Sequence, residues 1–182
     1  RWMRPARCLS ARYATRKAAA SGAGKPDYSR FSDGLVMVIK SAETEARRLS
    51  QGTLGTESLL LGLLAAPEAS ELMCVVFPDG SASVPEARAL VEEKLVDPDA
   101  ASSAASRPKR SSKAPLAFTP MAQRALLRAQ EEQERLGHGA VEPAHLLLGM
   151  LCDERGDACE MLASFEVGID TVRTRVLGTL SG

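Results

Sequence analysis

The stretch ESLLLGLLA, residues 57–65, returns 87 residues further along as AHLLLGMLC, residues 144–152. So leucine-rich a phrase reads in three ways: as a membrane span, as the flank of a nucleotide loop, or as a structural repeat. The first fails on length, because the apolar run ends at Pro67 after roughly eight residues and a helix needs about 20 to cross a bilayer. The second fails on chemistry. The glycine-lysine stretch SGAGKPD, residues 21–27, has Ala19 where a phosphate loop needs its first glycine, and Pro26 follows Lys25 where a Mg²⁺-binding Ser or Thr belongs. The repeat remains.

Composition favours a helical answer. Of 182 residues, 45% are hydrophobic but only 4% aromatic, so the core must be built from Leu, Val, Ala and Met. That mixture suits helices better than a β-sandwich. The formal net charge is zero, which removes the field that draws a domain to phosphate backbones, so neither a nucleic-acid nor a membrane partner is expected. Cys8, Cys74, Cys152 and Cys159 form no CxxC pair and are too few for a disulfide scaffold, so they read as free thiols. His138, His145, Cys152 and Cys159 recur every seven residues. On a continuous helix such neighbours stand about 10 Å apart along the axis, too far to share one metal. No metal and no cofactor are expected.

Two breaks in composition divide the chain. Residues 1–26 hold seven Arg or Lys, no acid, and many Ala and Ser. That is the bias of an organelle transit peptide, shared with a disordered basic tail and with an RNA-binding arm, and composition does not separate the three. The second break, DPDAASSAASRPKRSSKAP, is rich in Ala, Ser, Pro and basic residues without an apolar period, and reads as a linker. The expected layout is a tail at 1–27, a first repeat at 28–96, a linker at 97–115 and a second repeat at 116–182.

Sliding the chain by 87 without a gap lays Phe31 on Phe118, Ala42 on Ala129, Glu45 on Glu132, Arg48 on Arg135 and Gly52 on Gly139, and then the leucine phrase on itself. In the first copy Ser32 is a candidate N-cap, and Leu35, Ile39, Ala42, Ala46 and Leu49 share one helical face that Gly52 is expected to end. In the second, Thr119 caps and Pro120 takes the first turn. Ala122, Leu126, Ala129 and Leu136 repeat the face up to Gly137 and Gly139. The leucine phrase makes a second helix, opened by Thr56 or Pro143 and apolar nearly all round, so it belongs in the middle of a bundle. Gly62 and Gly149 inside it lower helix propensity by about 1 kcal/mol each, which points to a close approach by another helix. A third helix is expected near 68–77 and near 157–165. The fourth is opened by a Ser83–Glu86 capping box and, in the second copy, by Asp170. The fold class is therefore all-α: two tandem four-helix repeats packed as one pseudo-twofold domain.

GTESLLLGLL at residues 55–64, RLGHGAVEPAHLLLGML at 135–151 and GIDTVRTRV at 168–176 resemble the double-repeat N-terminal domain of Clp/Hsp100 chaperones. The family phrase is split between the copies. Gly55, Thr56 and Glu57 stand in the first without the following His, whereas His138 and His145 stand in the second without the Gly-Thr-Glu. The resemblance implies a docking module without catalytic residues. A double repeat behind a transit-like segment is similar to the accessory subunits of the plastid Clp protease. That likeness implies a chloroplast stroma protein whose partner is the ClpP/ClpR protease core ring, and which aids assembly of the core or its coupling to the chaperone. The other implication is a substrate- or adaptor-docking domain of a ClpC-type chaperone.

Docking residues are harder to locate. MCVVF, residues 73–77, is the most apolar stretch outside the central helices. Met73, Val76 and Phe77 either anchor a partner groove or cap the bundle core. Arg107, Lys109 and Arg110 in the linker either meet an acidic ring surface or are simply solvated. His138, at a helix end, and His145, inside the next helix, read as hydrogen-bonded structural residues rather than catalysts.

Overall fold

A computed structural model of the chain describes residues 26–77, 84–95, 115–152, 157–164 and 168–181. The first repeat contains α1 (Asp33–Arg48), α2 (Thr56–Ala65), α3 (Ser70–Val76, entered through a 3-10 turn at Pro67–Ala69) and α4 (Val84–Leu95). The second contains α5 (Pro120–Leu136), α6 (Pro143–Leu151), α7 (Asp157–Ser164) and α8 (Ile169–Leu180). The fold is all-α, four helices used twice.

The capping chemistry works as the residue types dictate. Ser32 Oγ accepts the N–H of Leu35 and Thr119 Oγ1 accepts that of Ala122, each meeting one of the orphan donors of the first turn. Both long helices end in the same six-residue closure. The Gln51 N–H donates to the Ala46 carbonyl in the first repeat, and the His138 N–H to the Gln133 carbonyl in the second. The residue that turns left-handed is Gly137 (φ 73°) in the second copy and Ser50 (φ 57°) in the first. The expected stop at Gly52 is thus corrected to Ser50, a residue with a Cβ where its counterpart has none.

The leucine helices lie at the centre. Leu59, Leu60, Leu61 and Leu63 of α2 and Leu146 and Leu147 of α6 are fully buried. Gly62 and Gly149 are where the first helix of each repeat crosses the second. A Cβ built on Gly62 would sit 2.6 Å from both the Ala42 Cβ and the Val38 carbonyl oxygen. One on Gly149 would overlap the Ala125 carbonyl and stand 2.7 Å from the Ala129 nitrogen. These partners correspond position by position under the 87-residue shift, so the same close crossing is built twice. Among the described residues no single helix is long and apolar enough to span a membrane.

The two repeats are tied by reciprocal strands too short to carry a sequence pattern. Thr53–Leu54 pairs in parallel with Ala117–Phe118, and Phe31 bridges Val141 in the same sense. Thr119 N–H donates to the Leu54 carbonyl at 2.8 Å, and Ser32 N–H to the Val141 carbonyl at 3.0 Å. Each repeat therefore lends the segment before its first helix to the turn after the first helix of the other. The first helices clip these segments in place, Gln130 accepting the N–H of Asp27 and Glu43 that of Leu116.

The ungapped shift fails in the later helices because the loops differ in length. Buried Ala69, Leu72 and Met73 match buried Ala158, Met161 and Leu162, which lie 89 residues further on. Buried Ala87 and Val91 match Val172 and Val176, 85 residues further on. Consequently α8 is not opened by Asp170, which stands in its first turn; Gly168 is its N-cap, and it makes no side-chain bond. Ser83 of the expected capping box lies outside the described residues.

Candidate docking surfaces

The structure buries three residues of the MCVVF stretch, while Cys74 is exposed and Val75 half-buried. Met73 is 1% exposed, Val76 0% and Phe77 6%, so all three pack in the core as caps of the bundle and present no face to a partner. Of the two readings the sequence offered, burial agrees with capping of the bundle core; α3 is only seven residues long and is followed directly by buried Phe77, too short for periodicity to choose between them. Arg107, Lys109 and Arg110 lie outside the described residues. The large hydrophobics that do face solvent among the described residues are Tyr28, Met37 and Leu90. Tyr28 sits edge-on to Phe31 at 5.3 Å and stacks on Phe118 at 6.4 Å, so an aromatic group covers the seam where the repeats exchange strands.

His138 and His145 meet, which the heptad argument did not foresee. That argument assumed one continuous helix, but α5 stops at Leu136 and the left-handed Gly137 turns the chain back. His145 is fully buried on α6, with its Nε2 2.8 Å from His138 Nδ1. Its Nδ1 accepts the Glu142 N–H at 3.0 Å, while Glu142 accepts the His145 N–H in return, a reciprocal cap for α6. With Nδ1 an acceptor, the neutral ring carries its proton on Nε2 and donates it to His138. Protonating Nδ1 would break the cap inside the core, and burial accordingly lowers the His145 pKa to about 4, with His138 adding to the effect. The Gln133 amide donates to the His138 carbonyl and holds that turn closed. The two cysteines of the heptad go elsewhere. Cys152 lies 3.9 Å from Arg173, with burial raising its thiol pKa, and Cys159 is bonded to the Met150 carbonyl. Among the described residues no group of three or more His, Cys, Asp or Glu side chains is placed to hold a metal ion. The pair is structural, joining the end of α5 to the start of α6.

Charge is arranged differently in the two copies. At α2 the N-cap, Gly55, offers no side chain, and the Glu57 carboxylate folds back into the space a Cβ would fill there. That places an anion at the positive end of the helix. Thr56 Oγ1 beside it is buried without a hydrogen-bond partner. Also in the first repeat, Glu45 and Arg48 of α1 and Arg88 and Glu92 of α4 interlock. In the second repeat Glu132, the counterpart of Glu45, is paired with Arg135 of its own helix. What the geometry offers is a packed helical body with surface chemistry that differs between its halves.

Comparison with known proteins gives the same answer as the fold. The Clp repeat (R) N-terminal domain family model matches residues 117–181. The chain is 33% identical over 153 residues to an ATP-dependent Clp protease ATP-binding subunit ClpA homolog of Guillardia theta, which covers 84% of this chain and 17% of that protein. It is 33% identical over 150 residues to the chloroplastic chaperone protein ClpC of Pisum sativum, covering 82% and 15%. The chain thus spans about one sixth of the length of these relatives. Among solved structures, the N-terminal domain of ClpD from Arabidopsis thaliana superposes with a TM-score of 0.67 at 21% identity, covering 85% of this chain and 97% of that one. A ClpV N-domain in complex with a VipB peptide superposes with a TM-score of 0.55 at 14% identity, covering 84% and 88%. Residues 117–181 thus match the Clp repeat (R) N-terminal domain family, and the chain as a whole has the fold of a Clp N-terminal domain.

Proposed function

We propose that the chain works by docking, as the substrate- or adaptor-recruiting N-domain of a ClpC-type chaperone in plastids. The carrying observation is that a stretch of sequence spanning both repeats aligns over more than four fifths of this chain with chloroplastic ClpC proteins. The peptide complex of a ClpV N-domain supports the view that this fold presents surfaces to peptide partners. Binding and release by a scaffold of this kind need no nucleophile or general base, only shape and charge held still by a packed core.

A second reading has its own support in the composition of residues 1–26 and in the divergence of the first repeat, which the family model does not reach. In that reading the chain is an accessory subunit like ClpT in the plastid stroma, resting on the ClpP/ClpR core ring and aiding its assembly or its coupling to the chaperone. Native separation of a plastid extract, probed with an antibody against residues 26–182, distinguishes the two. Comigration with an ATPase hexamer supports the chaperone reading, and comigration with a peptidase ring supports the accessory reading. Migration as a free monomer, apart from both, would sink the docking proposal.

A further inference from the structure

The last helix is where the two repeats differ most in how they are fastened. α4 and α8 are each 12 residues long, and Ala87 and Val91 of α4 take the buried places of Val172 and Val176 in α8. Around that shared seam α8 is held by apolar packing of Ile169, Leu177 and Leu180. It is also held by Arg173 and Arg175, which donate to the carbonyls of Leu151 (3.4 Å) and Val76 (3.0 Å), one in each repeat. In α4 the position matching Leu177 carries Glu92, and the position matching Arg173 carries Arg88.

Those two residues close a ring of alternating charge with α1. Arg88 reaches Glu45 at 2.5 Å and Glu92 at 2.8 Å, and Arg48 reaches Glu92 at 2.6 Å and Glu45 at 2.6 Å. Two of the four bonds cross between the helices, so each charge holds both a neighbour on its own helix and a partner on the other. Hydrogen bonding within the ring, foremost to Glu92, raises the pKa of both arginines, and hydrogen bonding to Arg88 and then Arg48 lowers that of Glu92, so the ring favours the charged forms of these three groups. The arginines of the ring face water, with Arg48 49% and Arg88 36% exposed, while Glu92 at 25% and Glu45 at 12% are more covered. Charges in such a place are screened by salt, whereas an apolar seam is not.

We propose that this ring is a clasp and α4 a releasable helix, which leaves the apolar face of α2 by local opening while the rest of the domain stays folded. Nineteen residues separate Leu95 from Pro115, so by length alone the chain can span a displacement of α4 relative to α5. With Glu92 where α8 has Leu177, part of the attachment of α4 depends on ionic strength. The face that opening uncovers is the leucine phrase itself.

Hydrogen exchange of the full chain at 0.05 and 1 M NaCl, followed by mass spectrometry, tests this. Amides of α4 are expected to exchange about tenfold faster at high salt, as the two cross-helix pairs weaken, while those of α8 change less than twofold. Glu92→Leu, which gives α4 the residue α8 carries and removes one of the two cross-helix pairs, should slow α4 exchange and reduce its salt response. Arg88→Met, which removes the other pair, should move the low-salt rate part of the way to the high-salt rate. If α4 and α8 accelerate together, or if α4 protection ignores salt in the wild type, the clasp is refuted. The wild-type salt series decides the matter even if a variant fails to fold.

Discussion

His145 should make this domain labile to mild acid. Its side chain is fully buried, its Nδ1 is committed to the Glu142 N–H, and its pKa is lowered from 6.5 to about 4. In the unfolded chain the imidazole takes up a proton near pH 6.5, whereas the folded chain refuses it until about pH 4. Between those values the unfolded state binds more protons, so stability is complete above about pH 6.5 and is lost progressively as pH falls toward 4. At 1.36 kcal/mol per unit the whole window corresponds to about 3 kcal/mol, and the part from pH 6.5 to 5 to about 2 kcal/mol, which is large against a total of roughly 5–15 kcal/mol. The measurement is urea unfolding at pH 7.5 and 5.0 for the wild type and for His145→Gln, whose amide can keep both hydrogen bonds without titrating. The wild type should lose about 2 kcal/mol on acidification and the variant markedly less. Equal losses in both proteins would refute the assignment of the proton linkage to this ring.

Three further predictions concern stability. Gly149→Ala should destabilise by about 2 kcal/mol or prevent folding, because the new Cβ meets the backbone of α5; thermal unfolding checks it against Gly178→Ala, a site with nothing within 4 Å, which should gain about 0.5–1 kcal/mol. Ser50→Gly should stabilise by about 0.5–1 kcal/mol, relieving a left-handed residue that the second repeat already builds with Gly137, and a lower unfolding midpoint would contradict it. Thr56→Val should be neutral or stabilising by up to about 1 kcal/mol, since it removes a buried hydroxyl without a partner, and calorimetry would expose a loss.

Much of this architecture is legible in the sequence where a local chemical signal exists. Ser32 and Thr119 cap because a hydroxyl ahead of an amphipathic helix satisfies orphan N–H groups, and both do so here. Gly62 and Gly149 announce the helix crossings because nothing else explains glycine inside a buried leucine helix. Features without a local signal were out of reach. The reciprocal pairing of Leu54 with Phe118 and of Phe31 with Val141 depends on two-residue and single-residue contacts, too short for any alternation to show. The left-handed Ser50 looks like any polar residue, and Gly52 two places on attracted the assignment instead. The burial of Met73, Val76 and Phe77 is set by α2 and α8 folding over α3, and an apolar run reads alike whether covered by its own domain or awaiting a partner. The meeting of His138 with His145 required knowing that the helix breaks between them. The charge ring was invisible for a related reason, since Glu92 and Arg48 are 44 residues apart and only the folded register of α4 brings them together.

The docking account is tested most directly by transplantation. This chain can be fused in place of the N-domain of a plastid ClpC-type chaperone, and ATP-dependent degradation of an adaptor- or N-domain-dependent substrate measured against the version lacking an N-domain. The account expects degradation to recover while basal ATP hydrolysis stays constant. An intact, ATP-hydrolysing fusion that degrades the substrate no faster than the truncated chaperone would contradict it.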